Sequence, residues 1–322
     1  MKNLLFICDP IEDLTIRSDY IDVTYLMMVE AFKLNHQIYF ARPSDLYVIQ
    51  DKSFVNANLV ELNIDQQFSD YANPPLPWYK LKPKHKQLSL THFNTVLVRN
   101  DPPFNMEYYY LSQILGVAER QGVQVLNNTH ALRNFNEKLS ILNFPHLIPQ
   151  TLVTKDKGVI MDFLDKYPQC VIKPLDLMSG QSVFKLSKDD PNCATIIEVV
   201  TNYGEITVMI QEFIPEVKLG DRRVFIVNGE VIPHCLYRIP RGNSIRGNIS
   251  AGGIAEIHPI SEKEAKLANE VATWLKQQKI IFSGIDIIGD KLTEINITSP
   301  GATYRIFSDA GVNIPKLIIE KL

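Results

Sequence analysis

The residues best suited to chemistry lie in segment 284–300, which predicts two short strands around a turn at 289–290. Asp286, Glu294 and Asn296 place three oxygen donors within eleven residues of this segment. Glu294 and Asn296 are two positions apart, so on a strand their side chains share one face, roughly 6–7 Å apart. Oxygen donors alone favour Mg²⁺ or Mn²⁺ over zinc, and in nucleotide enzymes few side chains usually hold Mg²⁺ beside phosphate oxygens. The spacing therefore indicates a candidate metal site.

The same hairpin sets a geometric condition on a shared metal site. A two-residue turn would place Asp286 opposite Thr293, on the face away from Glu294. A site that uses both carboxylates therefore needs an odd-length turn or a bulge, with Gly289 supplying an unusual φ. On spacing alone, a surface hairpin with a polar outer face explains these residues about equally well.

Length and composition limit the class of protein. The chain has 322 residues, of which 45% are hydrophobic and 21% charged, which is typical of a globular protein with two or three linked units. The formal net charge is −3. This charge balance provides no net positive electrostatic potential to attract nucleic acid or anionic lipid, so neither is predicted as a partner.

Cysteine use and the N-terminal composition predict a cytoplasmic protein. The four cysteines are scattered without the paired spacing of zinc or redox sites, which indicates reduced and mostly buried thiols. The apolar run near the N-terminus stops at Asp9-Pro10, too early for a signal peptide. No segment approaches the ~20 apolar residues of a membrane helix.

The order of predicted elements indicates an α/β protein in two parts. Strands and helices alternate over residues 1–126, which predicts a small and mostly parallel sheet. They include a helix over 19–34 and a loop marked by the prolines of 74–77 and the basic stretch 80–86. Residues 127–322 carry mixed strands and helices, with a hairpin that turns at Asn228-Gly229.

Two lysines are candidates for anion binding. Lys173 lies on a predicted apolar strand, where its ammonium must either meet an anion or reach solvent along its own stem. Lys138 lies on a predicted helix, where lysines are usually solvated, so its position alone indicates little.

A strand end near residue 211 offers contacts for a nucleotide. Gln211, Glu212, Phe213 and Ile214 bring acceptors and backbone groups that suit an adenine edge, although a plain strand end at a proline is the commoner explanation. Asp221 suits ribose hydroxyls, and Arg223 suits a phosphate or carboxylate through its bidentate fork. A solvated charge run is again the alternative.

Glycines concentrate in one long loop. Segment 239–253 holds four of the 15 glycines of the chain, interleaved with Arg241 and Arg246. Glycine permits close backbone approach to phosphates, and flexible loops of this kind often close over a site to exclude water. A surface loop without such a role is the alternative.

Eight sequence blocks, taken in order, resemble the bacterial glutathione synthetase family of ATP-grasp ligases over nearly the full length of the chain. The blocks are Asp9-Pro10-Ile, Arg99-Asn-Asp101-Pro-Pro-Phe104, Asn136-Glu137-Lys138-Leu139, Lys173-Pro174-Leu-Asp176, Gly220-Asp221-Arg-Arg223, Arg238-Ile-Pro, Arg246-Gly-Asn248 with Gly252-Gly253, and Gly284-Ile-Asp286 through Ser299-Pro300. No single block is decisive, but their order is specific.

The resemblance implies a fold and a set of ligands. It implies an N-terminal Rossmann-like pre-ATP-grasp domain over residues 1–126 and an ATP-grasp domain over 127–322, with a lid subdomain over about 140–205 and a flexible loop at 239–253. It implies ATP and Mg²⁺ (or Mn²⁺) as cofactors. Phosphate contacts would come from Lys138 and Lys173, adenine contacts from Gln211, Glu212, Phe213 and Ile214, the ribose contact from Asp221, and metal ligands from Asp286, Glu294 and Asn296.

The resemblance also implies a reaction. A carboxylate of γ-glutamylcysteine would be phosphorylated by ATP to an acyl phosphate, which the amine of glycine would attack to form glutathione. Charge stabilisation would come from Arg223, Arg238 and Arg246, and substrate binding from Asp9, Arg99, Asn296 and Ser299. A homo-oligomer is implied by the resemblance alone.

Two segments depart from the family pattern and keep alternatives open. The loop at 177–181 carries one glycine where the family has several, and segment 301–306 has Arg305 without the acid that normally accompanies it. An ATP-grasp ligase with a different acid or amine is therefore one alternative. A nucleotide-binding regulatory subunit without catalysis is another, although the complete donor set at Asp286, Glu294 and Asn296 argues against it.

Overall fold

Three β-sheets organise the chain in a computed structural model that describes residues 1–17, 20–101, 103–178, 180–242, 247 and 252–322. The elements are β1 (Asn3–Ile7), α1 (Val23–Lys33), β2 (Gln37–Ala41), β3 (Leu46–Ile49), β4 (Lys52–Leu62), β5 (Tyr79–Leu81), β6 (His85–Ser89), β7 (Thr95–Val98), α2 (Met106–Arg120), β8 (Gln124–Leu126), α3 (Thr129–Asn134), β9 (Thr151–Thr154), α4 (Lys157–Lys166), β10 (Gln169–Pro174), β11 (Phe184–Ser187), α5 (Cys193–Val200), β12 (Val208–Glu212), β13 (Asp221–Val227), β14 (Glu230–Ile239), β15 (Ile254–Pro259), α6 (Glu262–Gln277), β16 (Phe282–Ile288), β17 (Lys291–Asn296), α7 (Tyr304–Ala310) and α8 (Ile314–Ile319). The predicted α/β class is confirmed.

The first sheet has a parallel centre with an antiparallel extension. Its order is β3-β4-β2-β1-β7-β8, in which β2, β1, β7 and β8 are parallel, while β4 runs antiparallel to β2 and also pairs with β5 and β6. Successive apolar side chains of β1 are all buried, as expected for a parallel strand covered on both faces. This topology places the carboxyl ends of β1 and β7 side by side.

The sequence prediction for this region is wrong in two details. The loop expected at 80–86 overlaps β5 and β6, whose lysine and histidine side chains are exposed while their backbones pair with β4. Edge strands often carry exposed charged residues, so their polar composition can be mistaken for that of a loop. Helix α1 begins at Val23 rather than at 19, because the Asp22 carboxylate accepts a hydrogen bond from the Thr24 amide at 2.6 Å and caps the helix.

The second sheet is antiparallel and carries its own small core. Its order is β11-β10-β12-β9, and α4 and α5 pack their apolar residues against it. Ile160 and Ile197 of the helices meet Ile172 and Ile210 of the strands in this core. The lid range 140–205 and the division of the chain at 126 stay predictions.

The third sheet, also antiparallel, has the order β15-β14-β13-β16-β17. Its β13–β14 hairpin turns at Asn228-Gly229 as predicted, with positive φ at both residues. Helix α6 covers one face and begins with a capping box formed by Ser261 and Glu264. No helix among the described residues is long and apolar enough to cross a membrane.

The last two helices pack between the first and third sheets, α8 against α1 and α7 against β14 and β15. Ile306 of α7 and Ile318 of α8 share one core with Leu4 of β1 and Phe225 of β13. Asn127 adds a polar connection: its amide nitrogen donates to the carbonyls of 282 and 297 at 2.7 Å each, and its oxygen accepts from the amides of 281 and 282. The first and third sheets are thereby joined by both apolar packing and hydrogen bonds.

Candidate functional site

A bulge in the β16–β17 hairpin brings the candidate metal ligands to one face. The register pairs Asp286 with Glu294 and then shifts by one, so Thr293 is the extra residue of β17. Gly289 in the turn has φ +62°, a conformation that favours glycine. Directly paired residues point to the same face, and Asn296 follows Glu294 by two positions. The geometric condition on a site shared by these side chains is therefore met.

The hairpin forms one wall of a cavity of about 530 Å³ between the three sheets. Most of the residues singled out in the sequence line it: Lys138, Lys173, Gln211, Glu212, Phe213, Ile214, Asp221, Arg223, Arg238, Asp286, Glu294, Asn296 and Ser299. Asp9 and Arg99 instead line an adjoining cavity of about 200 Å³. Arg246 lies outside the described residues.

Two lysines reach the cavity beside Glu294. Lys173 is 9% exposed and donates to the Thr293 carbonyl at 3.1 Å, so its stem does not carry the ammonium to solvent. Burial lowers the pKa of the Lys173 ammonium to about 8, although Glu294 opposes this shift. Lys138 lies 3.3 Å from Glu294 Oε1 and donates to the Leu177 carbonyl at 2.6 Å. Two cationic groups are thus held near the metal-ligand face.

The helix expected around Lys138 is absent. Helix α3 ends at Asn134, and Lys138 stands before a short 3-10 helix, Leu139–Asn143. The Asn136 side-chain oxygen accepts hydrogen bonds from the amides of Lys138 and Leu139, both at 3.0 Å. This local bonding replaces helical bonding and turns the chain. The lysine is consequently buried at the cavity and not solvated on a helix surface.

Two arginines and two aspartates form a continuous ionic network on the third sheet. Arg223 binds both oxygens of Asp286 at 2.7 Å. Arg238 binds Asp221 at 2.6 and 2.8 Å and also reaches Asp286 at 2.9 Å. The strand register produces this network, because Asp221 pairs with Arg238 across β13–β14 and Arg223 pairs with Asp286 across β13–β16.

The network fixes the charges of its members. Burial by itself would raise the pKa of Asp286, but Arg223 and Arg238 outweigh burial and hold that pKa well below its ordinary value. Burial raises the pKa of Asp221, with Arg238 opposing it. Arg238 engages both oxygens of Asp221, which are the atoms that the resemblance assigns to ribose.

The donor set fits Mg²⁺ when phosphate oxygens complete the coordination. Asp286 and Glu294 offer carboxylates, and the Asn296 amide nitrogen donates to the Gly284 carbonyl at 3.2 Å, which leaves its oxygen without a described partner. Among the residues that the structure describes, no cluster of three or more His, Cys, Asp or Glu suits a metal. Mg²⁺ in nucleotide enzymes is usually held by only a few protein ligands, together with phosphate oxygens of the substrate.

The end of β12 has features that suit an adenine ring. Gln211 is buried and donates to the Thr151 hydroxyl at 3.0 Å. The Ile214 amide has no hydrogen-bond acceptor among the described residues, so it is available to a base edge. Phe213 carries the Lys185 ammonium 4.1 Å above its ring centre. Apolar walls that sequence analysis does not identify complete this end: Pro149, Val171, Val183, Val217 and Ile288.

The two segments that depart from the family pattern take different positions. Leu177, Met178 and Gly180 line the cavity, so the loop with a single glycine reaches the nucleotide region. Arg305 does not line either of the two cavities and pairs with Asp309 one turn later on α7, at 3.0 Å. The described acid that pairs with Arg305 is therefore Asp309, four residues later on the same helix.

Glu137 is a half-buried acid for which sequence analysis proposes no role. Its Oε1 accepts hydrogen bonds from the Ile297 amide at 2.9 Å and from the Thr298 amide and hydroxyl at 3.0 and 2.8 Å. Burial, with Glu294 nearby, raises the pKa of its carboxyl. Glu137 thus anchors the segment between Asn296 and Ser299, and its only sequence signal is its place beside Lys138.

One glycine of loop 239–253 is required by close contact. Gly247 lines the cavity, and a Cβ there would overlap the Arg238 carbonyl. This agrees with the prediction that glycine in this loop permits close backbone approach, although most of the neighbouring residues lie outside the described part of the chain.

Comparison with known proteins identifies the family. A model of the prokaryotic glutathione synthetase N-terminal domain matches residues 2–133, and a model of the prokaryotic glutathione synthetase ATP-grasp domain matches residues 137–311. The chain belongs to the prokaryotic glutathione synthetase family. The glutathione synthetase of Photorhabdus laumondii is 41% identical over 306 residues, covering 95% of this chain and 93% of the relative. That of Vibrio parahaemolyticus is 38% identical over 322 residues, covering 100% and 98%.

Solved structures support the fold of this glutathione synthetase family member. The D-cycloserine synthetase DcsG has a TM-score of 0.65 at 13% identity and covers 99% of each chain. The ATP-grasp ligase PsnB, in a complex with Mg and ADP, has a TM-score of 0.60 at 14% identity and covers 99% and 96%. Such distant likeness concerns the fold alone. The predicted family, the ATP-grasp fold, the ligase class and the use of ATP with small-molecule substrates are confirmed, whereas the roles of single residues stay predictions.

Proposed function

We propose that this chain forms glutathione by joining the cysteinyl carboxylate of γ-glutamylcysteine to the amine of glycine. The γ-phosphoryl group of ATP passes to that carboxylate, which yields ADP and an acyl phosphate. The glycine amine attacks the acyl carbon, and the tetrahedral adduct expels phosphate to leave the peptide bond. No protein nucleophile is required.

One observation carries the proposal. The bulge at Thr293 sets Asp286 beside Glu294, next to Lys138 and Lys173, within a single cavity. Phosphoryl transfer needs positioning and charge stabilisation rather than covalent help from the protein. This wall of the cavity has carboxylates that could hold a metal and ammonium groups that could hold phosphates. It can therefore supply both positioning and charge stabilisation.

Each end of the cavity has a proposed task in holding ATP. The Ile214 amide and the apolar walls suit the adenine, and the two lysines suit the phosphates. A buried, desolvated ammonium gains strongly from an anionic partner because the surrounding medium screens it little. Lys173 therefore binds the triphosphate in its protonated form.

We assign the metal site to Asp286, Glu294 and Asn296. A bound Mg²⁺, or Mn²⁺, would neutralise phosphate charge and orient the γ-phosphoryl group. Because Asp286 is bound by Arg223 and Arg238, a cation held by its carboxylate would compete with these two guanidiniums. Donors freed by that competition would face the cavity, where charge develops on the transferred phosphoryl group and on the tetrahedral adduct. Arg246 of loop 239–253 is assigned the same task, and the loop is assigned to excluding water.

The acyl phosphate can be tested by following oxygen. With γ-glutamylcysteine carrying ¹⁸O in the cysteinyl carboxylate, one labelled oxygen should appear in the released phosphate, because that oxygen bridges carbon and phosphorus. Mass analysis of the phosphate measures it. The control uses unlabelled substrate in H₂¹⁸O and should give unlabelled phosphate. Unlabelled phosphate in the first reaction would refute the intermediate.

The substrate is tested by a panel of acids and amines, with phosphate release as the measurement. γ-Glutamylcysteine with glycine should exceed the other pairs, as proposed for a glutathione synthetase. A different best pair would favour the alternative ligase that the departures at 177–181 and 301–306 suggest. The same assay with Mn²⁺ in place of Mg²⁺ tests whether either cation serves.

Assembly and location are also proposals. We infer a cytoplasmic homo-oligomer that binds neither nucleic acid nor membrane, on the basis of the balanced charge and the family resemblance. Light scattering of the purified protein, which measures molar mass, tests the oligomer, and a monomeric mass at micromolar concentration would contradict it.

A further inference from the structure

The β16–β17 hairpin can be paired in two ways near the candidate metal ligands. Next to the turn, Ile287 pairs with Leu292. The same register carried onward would place Asp286 opposite Thr293. The structure instead pairs Asp286 with Glu294, because Thr293 is an extra residue on β17. Since a slip of one residue moves side chains to the opposite face of a sheet, the bulged register decides whether the two carboxylates can share a cation.

The outer edge of β17 is bonded in a way that matches the bulge. In a regular strand, the amides that point to one edge are two residues apart. On the edge away from β16, the Leu292 amide donates to the Leu147 carbonyl at 2.8 Å. The Ile295 amide donates to the Glu137 carbonyl at 2.9 Å on the same edge. These two amides are three residues apart, so the neighbouring backbone accommodates the extra residue.

Thr293 stabilises the bulge with its own polar groups. Its side chain is buried, and its hydroxyl donates to the Asp286 carbonyl at 3.1 Å. A bulge interrupts the ladder of backbone hydrogen bonds, and this hydroxyl supplies a bond across the interruption. The Thr293 carbonyl accepts from the Lys173 ammonium at 3.1 Å. The hydroxyl and the carbonyl of Thr293 are thus both bonded in the bulged register.

Arg222 holds the turn of the same hairpin from the opposite face of the third sheet. It lies on β13 between Asp221 and Arg223, which both line the main cavity, so its own side chain points away from that cavity. Its Nη1 donates to the Gly289 carbonyl at 2.8 Å, and its Nε lies 3.0 Å from Glu264 Oε1. The other oxygen of Glu264 belongs to the capping box of α6. The turn is thereby connected to the start of α6.

The Arg222–Glu264 pair is better explained by position than by stability. The two side chains are 16% and 5% exposed, and the cost of removing such charges from water usually cancels their attraction. The best-attested role of buried pairs of this kind is to fix a register. With the turn fixed by Arg222 and the outer edge fixed at 292 and 295, the extra residue is held at 293.

We infer that Thr293 and Arg222 are positioning residues, which hold the bulged register and thereby set the affinity of the assigned metal site for a divalent cation. The inference rests on the proposed function, because it uses the metal site assigned there. A cation binds tightly only to molecules in the bulged register. The apparent affinity therefore falls in proportion to the fraction of molecules that adopt it. Neither residue needs to touch the cation for this effect.

Thr293→Val tests the hydroxyl with little change in side-chain shape. The Mn²⁺ dissociation constant of the nucleotide-free protein, measured by electron paramagnetic resonance, should rise about tenfold, as loss of one hydrogen bond gives. Thr293→Ser keeps the hydroxyl and should stay within about 3-fold of the wild type. The matched control is Thr95→Val on β7, which removes a buried strand hydroxyl that donates to Gln124 at 3.1 Å. This control should leave the constant unchanged.

Amide hydrogen exchange of the metal-free protein gives a measurement that involves no cation. In Thr293→Val, the amides of 284–296 should exchange at least about tenfold faster than in the wild type. The amides of β12 in the second sheet should keep their rates. Equal acceleration of both segments would indicate a loss of global stability and contradict the positioning role.

Arg222 is tested without leaving an unpaired buried charge. Glu264→Gln is the reference variant, because glutamine still offers an oxygen to Arg222 or to the cap of α6. The double variant with Arg222→Met and Glu264→Gln also removes the bond to the Gly289 carbonyl. Relative to the reference, its Mn²⁺ dissociation constant should rise about tenfold. Equal constants for the two variants would show that Arg222 does not position the hairpin.

The outcomes separate this inference from the proposed function. Unchanged Mn²⁺ binding in Thr293→Val and in the double variant would overturn the inference and leave the proposed function intact. An effect in only one of them would overturn the inference for the other residue. A wild type that forms glutathione but binds no Mn²⁺ would overturn the metal assignment together with the inference. A wild type that forms no glutathione would overturn the proposed reaction alone, since Mn²⁺ binding and hydrogen exchange are measured without substrate.

Discussion

The two adjoining cavities hold their arginines in different ways. In the larger one, Arg223 and Arg238 are bound by Asp286 and Asp221 at 2.6 to 2.9 Å. In the smaller one, the acceptors of Arg99 among the described residues are neutral, and both lie at 3.4 Å. The difference indicates two modes of preparing a site. An arginine that is already paired with an aspartate must change partners to bind an anionic ligand, whereas an arginine with neutral acceptors has no such ion pair to break.

The largest effect is expected from Asp286→Asn, which removes a candidate metal ligand and the shared acceptor of both arginines. Turnover should fall by at least about 10³-fold, since metal and charge stabilisation are lost together. Phosphate release measures it. Asp290→Asn, in the exposed turn of the same hairpin, is the matched control and should keep wild-type turnover. If Asp286→Asn lowers turnover only slightly, the network of Asp286 with Arg223 and Arg238 is not needed for the reaction.

Arg238→Ala should lower turnover by about 10²–10³-fold, as loss of one charge-stabilising donor typically does. It also tests partner exchange through a second measurement. Because the variant removes one of the two guanidiniums that bind Asp286 Oδ2, Mn²⁺ should bind the nucleotide-free protein more tightly than it binds the wild type, as followed by electron paramagnetic resonance. Unchanged turnover would remove Arg238 from the site. Weaker Mn²⁺ binding would contradict the exchange.

Lys173 gives a pH dependence with a defined sign. Its pKa is lowered to about 8 in the free protein, so above pH 8 the ammonium increasingly loses its proton and ATP binding must restore it. The value of kcat/KM for ATP should therefore fall up to about tenfold per pH unit above 8. Lys173→Arg, which stays protonated, should flatten this profile. A wild-type profile that stays flat to pH 9.5 would contradict the assignment.

The smallest effect is expected from Asp221→Asn, which distinguishes the predicted ribose contact from support of Arg238. Since both carboxylate oxygens bind Arg238, we expect kcat to fall about tenfold with an unchanged preference for ATP over 2′-deoxy-ATP. Steady-state kinetics with both nucleotides measure this preference. Its loss in the variant would instead support the ribose contact.

The candidate site could be predicted from the sequence where its residues lie close together in the chain, because their spacing on a strand determines which face they share. Glu294 and Asn296 share a face on any strand, so their cooperation follows from the sequence alone. Asp286 shares that face only because of the bulge at Thr293. The sequence shows that a bulge is needed, but it does not show whether one forms. Arg99 shows a further limit, because its described contacts, Thr24 and Pro300, lie far from it in the chain.

Errors in the predicted elements have local physical causes. The Asn136 side chain ends helical bonding before Lys138, and exposed lysines conceal β5 and β6 at a sheet edge. The start of helix α8 could have been predicted, because Asn313 is a typical N-cap residue and Pro315 follows in the first turn. The ionic network could not be read from the sequence, since it depends on how β13, β14 and β16 align.

The packing of α8 against α1 affects the order in which the molecule can be completed. These helices share one core although about 280 residues separate them in the chain. Domains usually fold as units while synthesis proceeds, but here the earliest segment stays unfinished until the ribosome has passed residue 319. A premature stop before α8 would therefore harm the N-terminal half first and leave it exposed to proteases.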